Sequence, residues 1–136
     1  MPTKLLSKLL SMFAATLFVA ATAFAAQAVE RKPFDSASFA ATQNAGNPIL
    51  VDISATWCPT CKQQKPIIDG LIKEPAYNDL TVFDVDFDRQ KDVVRRLGAN
   101  MQSTLIAFRG KTEKARSVGD TNPDAIGRLL KTTLAQ

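Results

Sequence analysis

The run Ile49-Leu50-Val51-Asp52-Ile53 constrains this chain more than any other segment. It is short, almost continuously apolar and preceded by the turn residues Gly46-Asn47-Pro48, so it reads as a β-strand covered on both faces. Such a strand needs helices above and below it, which points to an α/β domain. Asp52 is the one charged residue in the run.

The rest of the pattern agrees. Asp35 or Ser36 caps a first helix that runs to about Ala45, with Phe34 and Phe39 as its apolar contacts. After the central strand, Pro59 suits the first turn of a helix, where its missing N–H leaves nothing unpaired. Ile67, Ile68, Leu71 and Ile72 recur on one face of that helix, and Pro66 predicts a kink in it. Leu80 to Phe87 predicts a strand, and Val93, Val94 and Leu97 a short helix stopped by Gly98. Thr104 to Phe108 and Glu113 to Val118 predict a hairpin turning at Arg109-Gly110-Lys111, its more polar second strand forming a sheet edge. Asn122 then caps a last helix opened by Pro123, with Ile126, Leu129, Leu130 and Leu134 as its apolar stripe. The expected order is α-β-α-β-α-β-β-α. Helix-linked strands pair in parallel and the hairpin pairs antiparallel, giving a mixed central sheet flanked by helices on both faces.

Residues 1–28 stand outside that pattern. Lys4 and Lys8 form a basic start, no charge follows from Leu9 to Val29, and Ala23-Phe24-Ala25 and Ala26-Gln27-Ala28 are small-x-small cleavage sites. The expectation is an export signal cut after Ala28, a domain over 29–136, and a periplasmic protein. An uncleaved anchor is the alternative, although serine, threonine and many alanines dilute a segment barely long enough to cross a bilayer. Removing Lys4 and Lys8 lowers the formal net charge from +4 to +2. No basic run with interleaved aromatics remains, which gives no electrostatic case for nucleic acid.

With no histidine and two cysteines, the usual zinc, haem and hydrolase constellations lack ligands or bases, so the chemistry falls to Cys58-Pro59-Thr60-Cys61. Cys58 at the mouth of a helix meets unpaired N–H groups and the positive end of the helix dipole, both of which favour the thiolate. Cys61, one turn further in, is near enough for a disulfide and less exposed to an outside partner. An inert staple and a metal site shared between two chains are the competing readings. The first closes too small a loop to constrain the unfolded chain much, and the second lacks ligands.

The string Val51-Asp52-Ile53-Ser54-Ala55-Thr56-Trp57-Cys58-Pro59-Thr60-Cys61-Lys62, with Pro66 beyond it, resembles the active-site segment of the thioredoxin family. The resemblance implies a thioredoxin-like fold and a thiol–disulfide oxidoreductase with no cofactor beyond a redox-active Cys58–Cys61 disulfide. It makes Cys58 the nucleophile, Cys61 the resolving thiol, and Asp52 a buried acid beside Cys61 that takes its proton. Trp57 becomes part of the apolar lip that receives a polypeptide, and the loop Gln102-Ser103-Thr104 the segment that lines it. Two departures stand out. Ser103 occupies the position where most thioredoxins carry a cis-proline, and a non-proline cis bond costs about 2.5–4 kcal/mol, so the Gln102–Ser103 bond is expected trans. Asp84 stands where many thioredoxins keep a lysine near the buried acid.

No histidine lies between the cysteines to over-stabilise the thiolate, and the string is similar to reductive family members, so the expected direction is reduction. The partners implied are protein thiols and disulfides, with a membrane thiol transporter of the disulfide-interchange type as electron source and the protein itself a monomer. The alternative from another class is a non-catalytic adaptor or thiol chaperone using the groove around Trp57 and Ser103.

Overall fold

The computed structural model describes residues 28–135. The predicted export segment therefore lies outside the described residues except for Ala28. The chain runs β1 (Glu30–Pro33), α1 (Ser36–Asn44), β2 (Pro48–Ser54), α2 (Pro59–Leu71), a 3-10 turn (Pro75–Tyr77), β3 (Thr81–Asp86), α3 (Lys91–Arg96), β4 (Thr104–Arg109), β5 (Thr112–Val118) and α4 (Pro123–Thr132). The strands form one sheet in the order β1-β3-β2-β4-β5. β3 is parallel to both β1 and β2, while β4 is antiparallel to β2 and to β5.

The central position of β2 explains its composition. Ile49, Val51 and Ile53 face a core completed by Phe83, Val85, Val93, Val94 and Phe108. There Phe39 packs edge-on against Phe83 and Phe108, with ring centroids 5.4 and 5.6 Å apart. The alternate side carries Leu50, which meets Ile68, Leu105, Ile126 and Leu130 under α2 and α4. Asp52 belongs to this second side and faces α2, where an aliphatic residue would otherwise continue the core.

Helix ends follow their caps. The Asp35 carboxylate accepts from the Ser38 N–H at the start of α1, and the Asn122 side chain accepts from the Ala125 N–H at the start of α4. The hairpin between β4 and β5 turns on Gly110, whose φ of +55° is open to glycine.

Two details differ from the expected order. β1 is additional to the expected order, because Glu30-Arg31-Lys32-Pro33 carries charge instead of an apolar pattern. It is an edge strand bonded only to β3, and edge positions suit such composition. The second is that β4, reached from β3 through the short helix α3, lies antiparallel to β2, where a helix-linked strand was expected to be parallel; α2 itself continues through Pro66 to Leu71.

Candidate active site

The site lies at the end of β2, where the chain leaves the sheet and enters α2. Cys58 is the N-cap of α2, with extended backbone, and Pro59 is the first helical residue. The Cys61 N–H donates to Cys58 Sγ at 3.0 Å, so the sulfur performs the capping that a serine or aspartate oxygen performs elsewhere. Cys58 and Cys61 form a disulfide with their Cα atoms 5.3 Å apart. Exposure does not separate them as expected: Cys58 is 1% exposed and Cys61 7%. The asymmetry between the two thiols is one of helix position. Cys58 alone sits at the terminus, where the dipole and the free N–H groups act.

Asp52 is buried as expected, and its pKa is raised, first by desolvation. Arg31 opposes that shift by charge and by hydrogen bonding, and Asp84 adds to it. The β2–β3 register sets Asp52 level with Asp84, so the two carboxylates do share the region. The cation between them comes from β1. Arg31 Nη2 lies 2.6 Å from Asp52 Oδ2 and 2.7 Å from Asp84 Oδ1, and Nη1 lies 3.2 Å from Asp69 Oδ1 on α2. Lys65 closes the cluster from outside, 2.7 Å from Asp69. A cleft of about 210 Å³ bordered by Arg31, Asp52, Thr56, Cys61, Lys62 and Lys65 brings the acid and the inner cysteine to the same solvent-facing hollow.

Trp57 is 55% exposed, and its indole N–H donates to Asp88 Oδ2 at 2.8 Å, which holds the ring beside the cysteines. Against Cys58 lies the loop before β4. The Gln102–Ser103 bond is trans, as are all peptide bonds among the described residues. Gln102 is part-exposed, and its backbone forms no hydrogen bond with another described residue. Ser103 and Thr104 are placed otherwise than a groove lining requires. Both are buried; Thr104 turns its hydroxyl to the Met101 carbonyl at 2.7 Å, and Ser103 turns its hydroxyl to Cys58 Sγ at 3.8 Å. Thr104 therefore shapes the loop from within, and Met101, 49% exposed, offers the apolar surface.

Three residues of the site escaped the sequence. Arg31 sat in a charged stretch that carries no strand pattern, yet an aspartate pair at one level of adjacent strands calls for a cation. Asp88 had no local signal. Gln64, buried on the stripe of α2 that also holds Cys61 and Ile68, is an amide where that stripe calls for a hydrocarbon.

The thioredoxin family model matches residues 30–132. Thioredoxin of Mycobacterium bovis is 37% identical over 95 residues, covering 69% of this chain and 81% of the relative. Thioredoxin-2 of Saccharomyces cerevisiae is 34% identical over 82 residues, covering 60% of this chain and 76% of its own length. Among solved structures, Trxlp from Edwardsiella tarda superposes with a TM-score of 0.72 at 42% identity, over 74% of this chain and 98% of the other. A five-stranded mixed sheet, a disulfide at the mouth of α2 and a match over nearly the whole described chain lead to one assignment: the protein belongs to the thioredoxin family of thiol–disulfide oxidoreductases.

Proposed function

We propose that the Cys58–Cys61 pair reduces disulfides of protein clients in the periplasm. The observation that carries the reading is the placement of Cys58 Sγ as the cap of α2, hydrogen-bonded to the Cys61 N–H at 3.0 Å. After reduction that same N–H steadies a thiolate. The thiolate attacks one sulfur of a client disulfide; a Cys58–client bond forms, and the client's second sulfur leaves and takes a proton. Cys61 then loses its proton to Asp52 and attacks Cys58 Sγ. The Cys58–Cys61 bond forms, the client's first sulfur leaves as a thiol, and two electrons have passed from the dithiol to the client. The exposed Trp57 and Met101 and the unpaired backbone of Gln102 suit an extended polypeptide added like a strand.

A reductase outside the cytosol must be recharged, and a membrane thiol transporter of the disulfide-interchange type is the proposed donor. Export is supported by Lys4, Lys8, the uncharged stretch from Leu9 to Val29 and the small-x-small site ending at Ala28. The first strand starts at Glu30, so cleavage there leaves the fold whole. No cofactor beyond the disulfide is invoked.

The test is covalent trapping. In cells expressing Cys61→Ala, mixed disulfides with clients should accumulate on a non-reducing gel of acid-quenched, alkylated periplasm, and in Cys58→Ala few or none should form. Equal ladders from both variants, or none from either, would overturn the assignment of Cys58 as attacker. Binding of clients that survives loss of both cysteines would favour an adaptor.

A further inference from the structure

Ser103 is the one non-glycine among the described residues with positive φ, at +55°. A side chain in the left-handed region persists only where its surroundings hold it there, and such residues cluster at working sites. Here the hold is specific. The Ser103 carbonyl accepts from the Gly119 N–H at 2.9 Å and from Gln64 Nε2 at 3.3 Å, and the same Nε2 donates to the Asp120 carbonyl at 2.8 Å. Gln64 is 1% exposed, and its Oε1 has no partner among the described residues. A buried amide with an orphaned oxygen is a costly occupant of a helix stripe that an aliphatic side chain would fill without penalty. Its amide nitrogen is spent on fixing this loop.

The backbone so fixed aims the Ser103 hydroxyl at Cys58 Sγ, 3.8 Å away in a buried contact. In the disulfide the sulfur carries no hydrogen, so the only proton that contact can share is the hydroxyl's. On reduction the sulfur gains charge and becomes the stronger acceptor, and a charge-assisted bond shortens. Two donors then converge on the same sulfur: the Cys61 N–H, which any residue at that helix position supplies, and the Ser103 O–H, which a proline there cannot.

We propose that the Ser103 hydroxyl is a catalytic hydrogen-bond donor to the Cys58 thiolate, with Gln64 as the positioning residue that holds it in place. The inference rests on Cys58 being the attacking thiol. The donor acts twice in the cycle. It steadies the thiolate before attack on a client, and it steadies the same sulfur as the leaving group when the oxidised pair is reduced again.

The experiment follows the alkylation of Cys58 by iodoacetamide against pH in the full chain carrying Cys61→Ala. Ser103→Gly removes the hydroxyl while relieving the strain at φ +55°, so it folds at least as readily; Ser103→Ala repeats the deletion without relieving the strain. Both should move the half-maximal pH upward, lowering the thiolate fraction below that pH about threefold or more. Gln64→Met, of similar volume, should move it the same way and add nothing in the Ser103→Gly background. A Ser103→Gly profile that superimposes on its parent would overturn the donor role. An unchanged Gln64→Met profile beside a shifted Ser103→Gly profile would overturn the positioning role. The underlying reading fails separately, if Cys58 in the parent titrates no lower than Cys61 in the Cys58→Ala chain.

Discussion

Asp52 and Asp84 stand level on adjacent parallel strands, and one guanidinium, that of Arg31, bridges their carboxylates at 2.6 and 2.7 Å. Burial pushes the Asp52 pKa up, the arginine pulls it back without cancelling the rise, and Asp84 adds to it. The acid beside the inner cysteine is thus held ready to keep a proton longer than a free aspartate does.

That balance sets a pH dependence of stability. Below the ordinary aspartate value of 3.8 both folded and unfolded chains hold the proton. Between that value and the raised one, only the folded chain does, so stability falls as pH rises, by at most about 1.4 kcal/mol per unit, and levels off above. Asp52→Asn should flatten this component, measured as the difference in urea midpoints across the acid range. Identical slopes would show that Asp52 ionises normally. In the reaction, Asp52→Ala should slow resolution of a preformed mixed disulfide near neutral pH by about a hundredfold, and an unchanged rate would remove Asp52 as the base.

Arg31→Met tests the cation. It leaves Asp52 buried without a partner, which for a partly exposed arginine should cost about 1–3 kcal/mol near neutral pH. The loss should shrink toward acid, where Asp52 is protonated in any case, and the pH at which resolution becomes fast should move upward. Arg31→Lys should restore part of both. A uniform loss at all pH values would mean that the side chain matters only for packing.

Trp57 is the sole tryptophan, so its fluorescence reports the lip alone. Asp88→Ala removes the acceptor 2.8 Å from the indole nitrogen and should shift the emission while changing stability by less than about 0.5 kcal/mol. The KM for a protein disulfide should rise with little change in kcat. An unchanged KM would leave the ring's orientation without a part in client binding.

The two glycines at the hairpin end should respond unequally to alanine. A Cβ on Gly110 would meet backbone, Gly46 Cα at 3.2 Å and Gln43 O at 3.3 Å, whereas one on Gly46 meets open space. Both have positive φ, so each substitution carries strain of about 1–2 kcal/mol, and Gly110→Ala should cost clearly more. Equal urea midpoints would show that the turn yields.

The parts of the fold that follow from local pattern were readable in advance: the covered strand β2, the capped helices, the hairpin edge and the cysteine pair at a helix mouth. What escaped depends on partners far apart in sequence. β1 is short, charged and stabilised by its place beside β3, so nothing within Glu30–Pro33 announces it. Asp84 facing Asp52 was readable once the strands were aligned, but Arg31, which answers both, lies 21 residues from one and 53 from the other. The inward turn of Ser103 depends on Gln64 and Gly119, each distant from it in the chain, and no propensity encodes a hydroxyl's direction. Cys58 is the less exposed of the two cysteines because the loop holding Ser103 covers it, and depth along a helix does not measure such cover.

Arg31 rides on the least anchored strand of the sheet. Four residues bonded along one side only can peel from β3 without breaching either core, and edge segments of this kind open at the low end of a protein's range of local unfolding energies. Each such opening withdraws the guanidinium and leaves Asp52 with Asp84 and no counter-charge. Amide hydrogen exchange in Glu30–Pro33 and the protonation of Asp52 are thereby two readings of one equilibrium: exchange there should quicken when Asp52 is neutral and slow when it is ionised, so the acid also acts as the clasp of the strand.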